Sequence, residues 1–313
     1  MNGRLVPTIT LLGLLLATSA ACSKSPDSKS REVAAAPSAS PVASSIGAGT
    51  PATPPLRIVT IGSSTTEIVF ALGAGESVVG VDSSSLYPAE ATRLPKVGYQ
   101  RALAAEGLLS LNPTLILGGP ESGPPAVIAQ LRGAGPRLEI VDAPATVDGA
   151  SAKVRAIAEL LHRDPSPLLA KMERELAEAR ALVARAKGKP RVLALYARGA
   201  GTTQAFGVKT AADAMIALAG GENVLSFEGA KALTAESIVA AKPDVVLIPA
   251  RGLESLGGRD ALFALPGLGD TPAAKSKRVV ALDDLLLLGF GPRVGEGVSA
   301  LARALHPELA KAP

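Results

Sequence analysis

The chain has 313 residues, of which 47% are hydrophobic and 19% charged, so it is too apolar for a disordered protein and long enough for one large or two modest domains. Aromatic residues are scarce, with five Phe, three Tyr and no Trp, which argues against a single-stranded nucleic-acid binder built on stacking platforms. The net charge is only +4 with no dense basic block, and one Cys with two His excludes a disulfide scaffold and most Cys/His metal sites.

The first residues have the composition of an export signal. Arg4 precedes an apolar run, Ile9 to Ala17, that is too short to span a bilayer. We therefore predict that residues 1–21 are a signal peptide. Residues 22–55 are rich in Pro, Ala and Ser and are predicted to form a disordered tether, because they cannot bury enough apolar surface to fold.

The only cysteine lies directly after the predicted signal peptide. This stretch resembles a bacterial lipobox, in which Cys22 would become a lipidated N-terminus held at the membrane, although Ser19 stands where a Leu is usual. The alternative is an ordinary signal cleaved near Ala21, which would leave Cys22 as an incidental thiol. We favour lipidation of Cys22.

Predicted strands and helices alternate along the rest of the chain. The first half is expected to contain strands at 57–61, 77–81 and 138–141 and helices at 65–72 and 126–132. The second half is expected to contain strands at 191–195, 245–248 and 278–282 and helices at 210–219 and 294–305. This alternation predicts the α/β class, with parallel-type sheets covered by helices.

A repeat indicates that the folded part consists of two similar lobes. Residues 103–117 read LAAEGLLSLNPTLIL and residues 233–247 read LTAESIVAAKPDVVL. Each copy predicts a short helix beginning near a Glu, a Pro that ends the helix, and a short buried strand. The copies lie about 130 residues apart, which is far longer than a solenoid period. The repeat therefore predicts a duplicated lobe.

Between the two halves lies a segment with helical periodicity. Leu168, Met172, Leu176, Ala179 and Val183 recur at spacings of three and four, which predicts one long amphipathic helix. The predicted organisation is an N-terminal lobe at 56–164, a bridging helix at 165–188 and a C-terminal lobe at 189–313. A ligand cleft is expected between the lobes.

Several motifs in order resemble the haem-binding branch of the substrate-binding proteins of ABC transporters. The segments are VDSSSLYP (81–88), LPKVGY (94–99), GVKTAAD (207–213), ARGLESLGG (250–258), LPG with TPA (265–273) and LGFGPR (288–293). The likeness covers about residues 56–306, and the order and spacing are more specific than any single motif. It implies a periplasmic haem carrier of the helix-bridged class, without catalytic activity, that delivers to an inner-membrane permease.

In that family a Tyr in the loop before the Pro ligates haem iron, and Tyr87 occupies this position before Pro88. The chemistry is sound because ferric iron is a hard Lewis acid that stabilises a phenolate, whereas a free phenol ionises only near about pH 10. The alternative is a Tyr whose ring packs in the core with its hydroxyl at the surface. The resemblance favours Tyr87 as the haem iron ligand, and hence as the metal-binding residue.

Three further residues are candidates for the haem pocket. Arg251 matches an Arg that faces haem from the second lobe in relatives, where it would pair with a propionate or lie over the ligand, although a solvated loop Arg is an equal alternative. Tyr99 could line the pocket or serve packing. Arg293, at a helix start, could reach the cleft or a local carboxylate. His162 and His306 are expected at the surface, so a second haem lacks its obvious ligand.

Glu106 and Glu236 occupy equivalent positions in the repeat, one in each lobe. In the wider family, carboxylates at the two lobe tips dock onto arginines of the two permease subunits, and a two-lobed protein meeting a two-fold dimer would use one contact per lobe. The alternative is a Glu favoured by the helix macrodipole. Recurrence in both copies favours docking of these residues to the permease dimer, which works with its ATPase.

Competing functions have weaker support in the sequence. The segment 201–210 lacks the Gly-Lys pair of a phosphate loop, and Gly62-Ser63-Ser64 lacks the second Gly of a hydrolase elbow, so no catalytic residue is predicted. The same fold loaded with a corrinoid or a ferric siderophore is the main alternative. A surface haem scavenger without a permease is another. An outer-membrane haem receptor system is a further potential partner; nucleic acid is not.

Overall fold

The computed structural model describes residues 55–198 and 202–311. The predicted signal peptide, Cys22 and the tether up to residue 54 lie outside the described residues. Within the described ranges, no helix is both long and apolar enough to cross a bilayer.

The N-terminal lobe contains a parallel sheet in the order β2-β1-β5-β6, together with a small β3-β4 hairpin. Its elements are β1 (Ile58–Thr60), α1 (Ser63–Ala71), β2 (Val78–Val81), α2 (Ala89–Thr92), β3 (Gly98–Tyr99), β4 (Ala102–Leu103), α3 (Ala105–Leu109), β5 (Leu115–Gly118), α4 (Pro125–Gly133), β6 (Arg137–Ile140) and α5 (Val147–Leu160). Every residue of β1 and β5 is buried, as expected for central strands of a sheet with covered faces.

The connection between the lobes is α6 (Ser166–Val183). It begins with Pro167 in its first turn, a position where the missing N–H costs nothing. It ends at Val183, before the expected residue 188, and the chain continues as a turn in which the N–H of Arg185 donates to the Leu182 carbonyl and that of Ala186 to the Val183 carbonyl. Most of the predicted stripe is buried, namely Leu168, Met172, Leu176 and Ala179, whereas Val183 at the end of the helix is only partly buried.

The C-terminal lobe is built around a sheet in the order β10-β8-β7-β11-β12. Its elements are β7 (Arg191–Arg198), β8 (Thr202–Phe206), α7 (Ala211–Leu218), β9 (Glu222–Asn223), β10 (Ala230–Lys231), α8 (Ala235–Ala241), β11 (Val245–Pro249), α9 (Ala250–Leu256), α10 (Arg259–Phe263), α11 (Pro272–Lys275), β12 (Val279–Leu282), α12 (Asp284–Leu288) and α13 (Val294–Leu305). Strands β7, β11 and β12 are parallel, whereas β8 and β10 are antiparallel additions that the sequence did not indicate. The predicted α/β class is confirmed.

The repeated segments occupy matching places in the two sheets. Helix α3 leads into β5, which lies between β1 and β6, and helix α8 leads into β11, which lies between β7 and β12. At the end of the helical segment, Asn112 and Lys242 both adopt a left-handed φ of 46°, directly before Pro113 and Pro243. The same residue pattern therefore produces the same helix stop in each lobe.

An arginine at the start of the first central strand anchors each copy of the repeat. The backbone N–H of Arg57 donates to Thr114 Oγ1 at 2.9 Å, and its guanidinium donates to a carbonyl just after α3 at 2.7 Å. Arg191 makes the matching bonds, from its N–H to Asp244 Oδ2 at 3.0 Å and from its guanidinium to the Ala241 carbonyl at 2.8 Å. These pairs link the two neighbouring strands that carry the cleft loops.

One apolar core runs from lobe to lobe through α6. The buried side chains that form this continuous cluster include, from the N-terminal sheet to α13, Ile58, Leu115, Met172, Leu176, Val192, Val245 and Leu301. Helix α13 packs along α6 and completes the cluster. The bridging helix is thus a packed element and not a free linker.

The close approach of α13 to α6 depends on a glycine. A Cβ on Gly295 would lie 2.6 Å from Glu175 Cβ and 2.9 Å from the backbone N of Leu176. We expect Gly295→Ala to lower the free energy of unfolding by about 1–3 kcal/mol, because the helices must separate or repack. Urea denaturation followed by circular dichroism measures this.

The matched control is another helical glycine. A Cβ on Gly133, at the end of α4, would have no atom within 4 Å, and the residue has no left-handed φ. Gly133→Ala should leave the protein unchanged or stabilise it by up to about 1 kcal/mol. Equal effects of the two substitutions would contradict the packing argument.

Candidate ligand-binding cleft

A cleft of about 700 Å³ lies between the two lobes. Its volume falls within the range of about 300–1,000 Å³ that is typical of small-molecule sites. Charged and hydroxyl side chains at the carboxyl ends of parallel strands line it: Ser63 after β1, Ser84 after β2, Glu121 after β5, Arg198 ending β7, Arg251 after β11 and Asp284 after β12. Open α/β sheets bind ligands at this edge.

Two of the three tyrosines of the chain line this cleft, although aromatic residues are scarce overall. Tyr99 and Tyr196 line it from opposite lobes. Phe206 packs edge-on against Tyr196, with 5.9 Å between ring centroids. Leu86 and Leu288 add apolar surface. A cleft lined in this way offers flat apolar contacts to a planar ligand.

Arg198 reaches from the C-terminal lobe to a ring of the N-terminal lobe. Its guanidinium carbon lies 5.2 Å from the ring centroid of Tyr99 and 5.6 Å from that of Tyr196, within the range of cation–π contacts. Its Nε also donates to the Tyr196 hydroxyl. Sequence reasoning missed both Arg198 and Tyr196. The signal that could have found them is their position at the carboxyl end of a predicted parallel strand.

Arg251 and Tyr99, both predicted from the sequence, line the cleft. The Arg251 side chain is exposed, and its backbone N–H donates to Asp284 Oδ1 at 3.2 Å. Burial raises the pKa of Asp284, while this hydrogen bond opposes the rise. The charged side chains that line the cleft are three arginines, Arg101, Arg198 and Arg251, and two carboxylates, Glu121 and Asp284. This excess of positive charge favours an anionic ligand.

A buried carboxylate shapes the loop that leads to Tyr87. Asp82 is fully buried, and its Oδ1 accepts hydrogen bonds from the N–H of Gly62 at 2.9 Å and from Ser85 Oγ at 2.6 Å. Its Oδ2 accepts from the N–H of Ser84 at 2.9 Å. Ser85 Oγ also pairs with Thr66 Oγ1 at 2.7 Å. The loop is therefore tied to the start of α1.

We expect Asp82→Asn to loosen this loop, because an amide retains the shape but loses one of the two acceptor oxygens. Two or more buried donors would lack a partner, at a cost of about 1–3 kcal/mol for each such group. Hydrogen exchange should become faster at the amides of residues 83–87. Ser110→Ala, which removes an exposed hydroxyl bonded only to its own helix, is the control. Unchanged exchange in Asp82→Asn would refute the anchoring role.

Tyr87 directly follows Leu86, which lines the cleft, but Tyr87 does not itself line the cavity. Its side chain is 44% exposed, so the ring does not pack in the core as the alternative interpretation required. One face of the ring is covered by Arg293, whose guanidinium carbon lies 3.7 Å from the ring centroid. The remaining surface is accessible to a ligand.

Arg293 reaches a carboxylate of the other lobe and does not line the cavity. It pairs with Glu67 of α1 through two bonds, Nη2 to Oε1 at 2.7 Å and Nε to Oε2 at 3.0 Å. Burial raises the pKa of Glu67, and the bonds from Arg293 limit the rise. Burial alone would lower the pKa of Arg293, but Glu67 reverses this and raises it. The two side chains form a largely buried, bidentate pair between the lobes.

Glu106 and Glu236 are both exposed, and each is the second residue of its helix, α3 or α8. Hydrogen bonds from its own backbone and from Thr234 lower the pKa of Glu236, which keeps it ionised. Docking of these carboxylates stays a prediction.

The expectation that both histidines lie at the surface was wrong for one of them. His306 is 1% exposed, and its Nε2 lies 3.2 Å from the carbonyl oxygen of Ala219. It is buried because α13 carries the chain end back against α7. His162 is exposed. Among the described residues, no group of three or more His, Cys, Asp or Glu side chains could hold a metal ion.

Two lobes, a packed bridging helix and a cleft at the carboxyl ends of both sheets define a substrate-binding protein of the helix-bridged class. The family model described as "Periplasmic binding protein" matches residues 58–286, and the chain belongs to this family. The family resemblance found in the sequence is confirmed.

Solved structures of high similarity are haem-binding proteins. The periplasmic heme-binding protein RhuT from Roseiflexus sp. RS-1, in apo form, is 47% identical, with a TM-score of 0.78 over 81% of this chain and 99% of that chain. The periplasmic heme-binding protein BhuT in complex with two hemes is 45% identical, with a TM-score of 0.77 over 81% of this chain and 98% of that chain.

Curated relatives are more distant. The ABC transporter substrate-binding lipoprotein YvrC of Bacillus subtilis is 27% identical, with coverage of 82% of this chain and 82% of YvrC. The vitamin B12-binding protein of Photorhabdus laumondii is 25% identical over 80% of this chain and 88% of that protein.

Proposed function

We propose that this protein is a periplasmic carrier that captures ferric haem and delivers it to an ABC importer for iron acquisition. The observation that carries the proposal is Tyr87, a half-exposed phenol directly after Leu86, which lines an aromatic, arginine-lined cleft. The similarity to RhuT and BhuT, at 47% and 45% identity over nearly the whole folded part, supports haem as the cargo.

Each part of the cleft matches a part of ferric haem. The phenol oxygen of Tyr87 ligates the iron, since hard ferric iron prefers an anionic oxygen donor. The rings of Tyr99 and Tyr196 and the side chain of Leu86 contact the porphyrin. Arg251 and Arg198 pair with the propionates, because guanidinium binds carboxylate through two parallel hydrogen bonds.

The carrier works at the membrane surface. Cys22 carries the lipid that anchors it, a proposal supported by the lipobox-like sequence and by the lipoprotein YvrC. Glu106 and Glu236, one in each lobe, dock onto the permease dimer, which works with its ATPase. An outer-membrane haem receptor system supplies the cargo. No catalytic step is assigned to the protein.

The test is a titration of the purified apoprotein with hemin, cobalamin and a ferric siderophore, followed by absorption spectroscopy. We expect saturable binding of hemin that changes the Soret band. The end point of the titration gives the number of hemin molecules bound by each protein molecule. Hemin that retains the spectrum of the free pigment would refute the proposed cargo while leaving the fold assignment intact.

A corrinoid is the second candidate cargo, because the curated relatives include a vitamin B12-binding protein that is similar over 80% of this chain. Corrinoid binding does not require the phenol of Tyr87. Saturable binding of cobalamin without hemin binding would favour this candidate. Uptake of haem without any permease would instead indicate a surface scavenger.

A further inference from the structure

The ring of the proposed iron ligand is covered by a residue from the opposite lobe. Tyr87 and Glu67 belong to the N-terminal lobe, whereas Arg293 directly precedes α13 in the C-terminal lobe. The guanidinium carbon of Arg293 lies 3.7 Å from the centroid of the Tyr87 ring, a distance typical of face-on contact. The Arg293 side chain of the C-terminal lobe therefore forms part of the environment of the Tyr87 ring in the N-terminal lobe.

Glu67 determines where this guanidinium lies. The Glu67 side chain is only 5% exposed and that of Arg293 14%, so water competes little for the two hydrogen bonds. Their bidentate geometry fixes the guanidinium plane as well as its position.

We infer that Glu67 is a positioning residue that holds Arg293 flat against Tyr87, so that a fixed positive charge from the second lobe orients the phenol ring and tunes its strength as an iron donor. The inference rests on the proposed function of Tyr87 as the haem ligand. Groups that orient a metal ligand and polarise it commonly change metal affinity by about 10–100-fold.

The sign of the tuning follows from electrostatics. A cation over the ring stabilises the electrons of the phenolate, so it raises the energy of the phenolate-to-iron charge-transfer band and makes the phenolate a weaker donor. Without the cation, the band moves to longer wavelength and the ferric state is favoured. Removal of the Glu67 charge alone leaves the cation less neutralised, so the band moves to shorter wavelength.

Three variants separate charge from structure. Arg293→Gln removes the cation, Glu67→Gln removes the anion and keeps an acceptor oxygen for Arg293, and the double variant replaces the ion pair by two neutral amides. The double variant avoids an unpaired buried charge, which could by itself unfold the single Arg293 variant. Leu56→Ala, at an exposed position, is the control.

The first measurement uses the protein without haem. With only three tyrosines in the chain, selective ¹³C labelling of tyrosine gives an NMR spectrum in which Tyr87 is assigned from Tyr87→Phe. We expect the Tyr87 resonances to shift in Arg293→Gln and in the double variant, with those of Tyr196 unchanged. Tyr87 resonances in the double variant that equal those of the wild type would overturn the inference even if hemin does not bind.

The second measurement uses the hemin complex. We expect the charge-transfer band and the haem reduction potential to move in one direction in Arg293→Gln and the double variant, and in the opposite direction in Glu67→Gln. Shifts of the same sign in all three variants would mean a merely structural role and overturn the inference. Absence of hemin binding by the wild type would instead count against the proposed function.

Discussion

Tyr87→Phe should lower the affinity for ferric haem at least about 100-fold, equivalent to about 2.7 kcal/mol, because it removes the oxygen that binds the iron. The substitution deletes a single atom from a side chain that is 44% exposed, so the fold should be unaffected. The absorption bands of a tyrosine-ligated ferric haem should disappear. Fluorescence or absorption titration with hemin gives the affinity, and visible spectroscopy reports the ligand.

The matched control for this experiment is Tyr99→Phe. Tyr99 belongs to the same lobe as Tyr87 and lines the cleft. The substitution removes a phenol hydroxyl, as Tyr87→Phe does. Its effect on affinity should be about tenfold or less, with the iron spectrum unchanged. If Tyr87→Phe kept the wild-type spectrum and affinity, the iron ligand would have to be another group, and the assignment of Tyr87 would be wrong.

Reversal of the charge at Glu106 and Glu236, the two exposed glutamates of the repeat, should abolish haem transport but leave haem binding unchanged. In the double variant Glu106→Arg/Glu236→Arg, each lobe would present a positive charge to the arginines expected on the permease. Like charges placed together at an interface cost several kcal/mol, so the apparent affinity for the permease should fall about 100-fold or more. Haem uptake into proteoliposomes that contain the cognate permease and ATPase measures the effect.

The control is an equal charge change elsewhere on the surface. Glu159 and Glu178 are also exposed and lie outside the repeated segments, on α5 and α6. Glu159→Arg/Glu178→Arg should support normal transport. Loss of haem binding in the Glu106/Glu236 variant would show that these residues serve the cleft, and equal transport by both double variants would argue against docking.

Much of the fold follows from local sequence signals. The helix-ending Pro113 and Pro243 and the buried strands after them predict two similar lobes, and the stripe from Leu168 to Ala179 predicts the bridging helix. Signals of this kind depend on neighbouring residues alone, so they can be found without knowledge of the tertiary structure. The added antiparallel strands β8 and β10 could not, because edge pairing depends on contacts between distant segments.

The cleft is less completely predictable. Tyr87, Tyr99 and Arg251 are found by resemblance to a family, whereas Tyr196 and Arg198 lie in no recognised motif and become candidates only when the carboxyl ends of the strands are placed together. For Arg293, the sequence does not distinguish between the cleft and a carboxylate. The structure pairs it with Glu67, more than two hundred residues away in sequence.

The class of protein is encoded locally: short-range patterns specify a duplicated α/β lobe, and a set of ordered motifs indicates the family. Which side chains meet is known only from the folded chain, above all the contact of Arg293 with Tyr87 and Glu67. This difference arises because a helix or a strand depends on residues a few positions apart, whereas an ion pair between lobes depends on the packing of the whole chain.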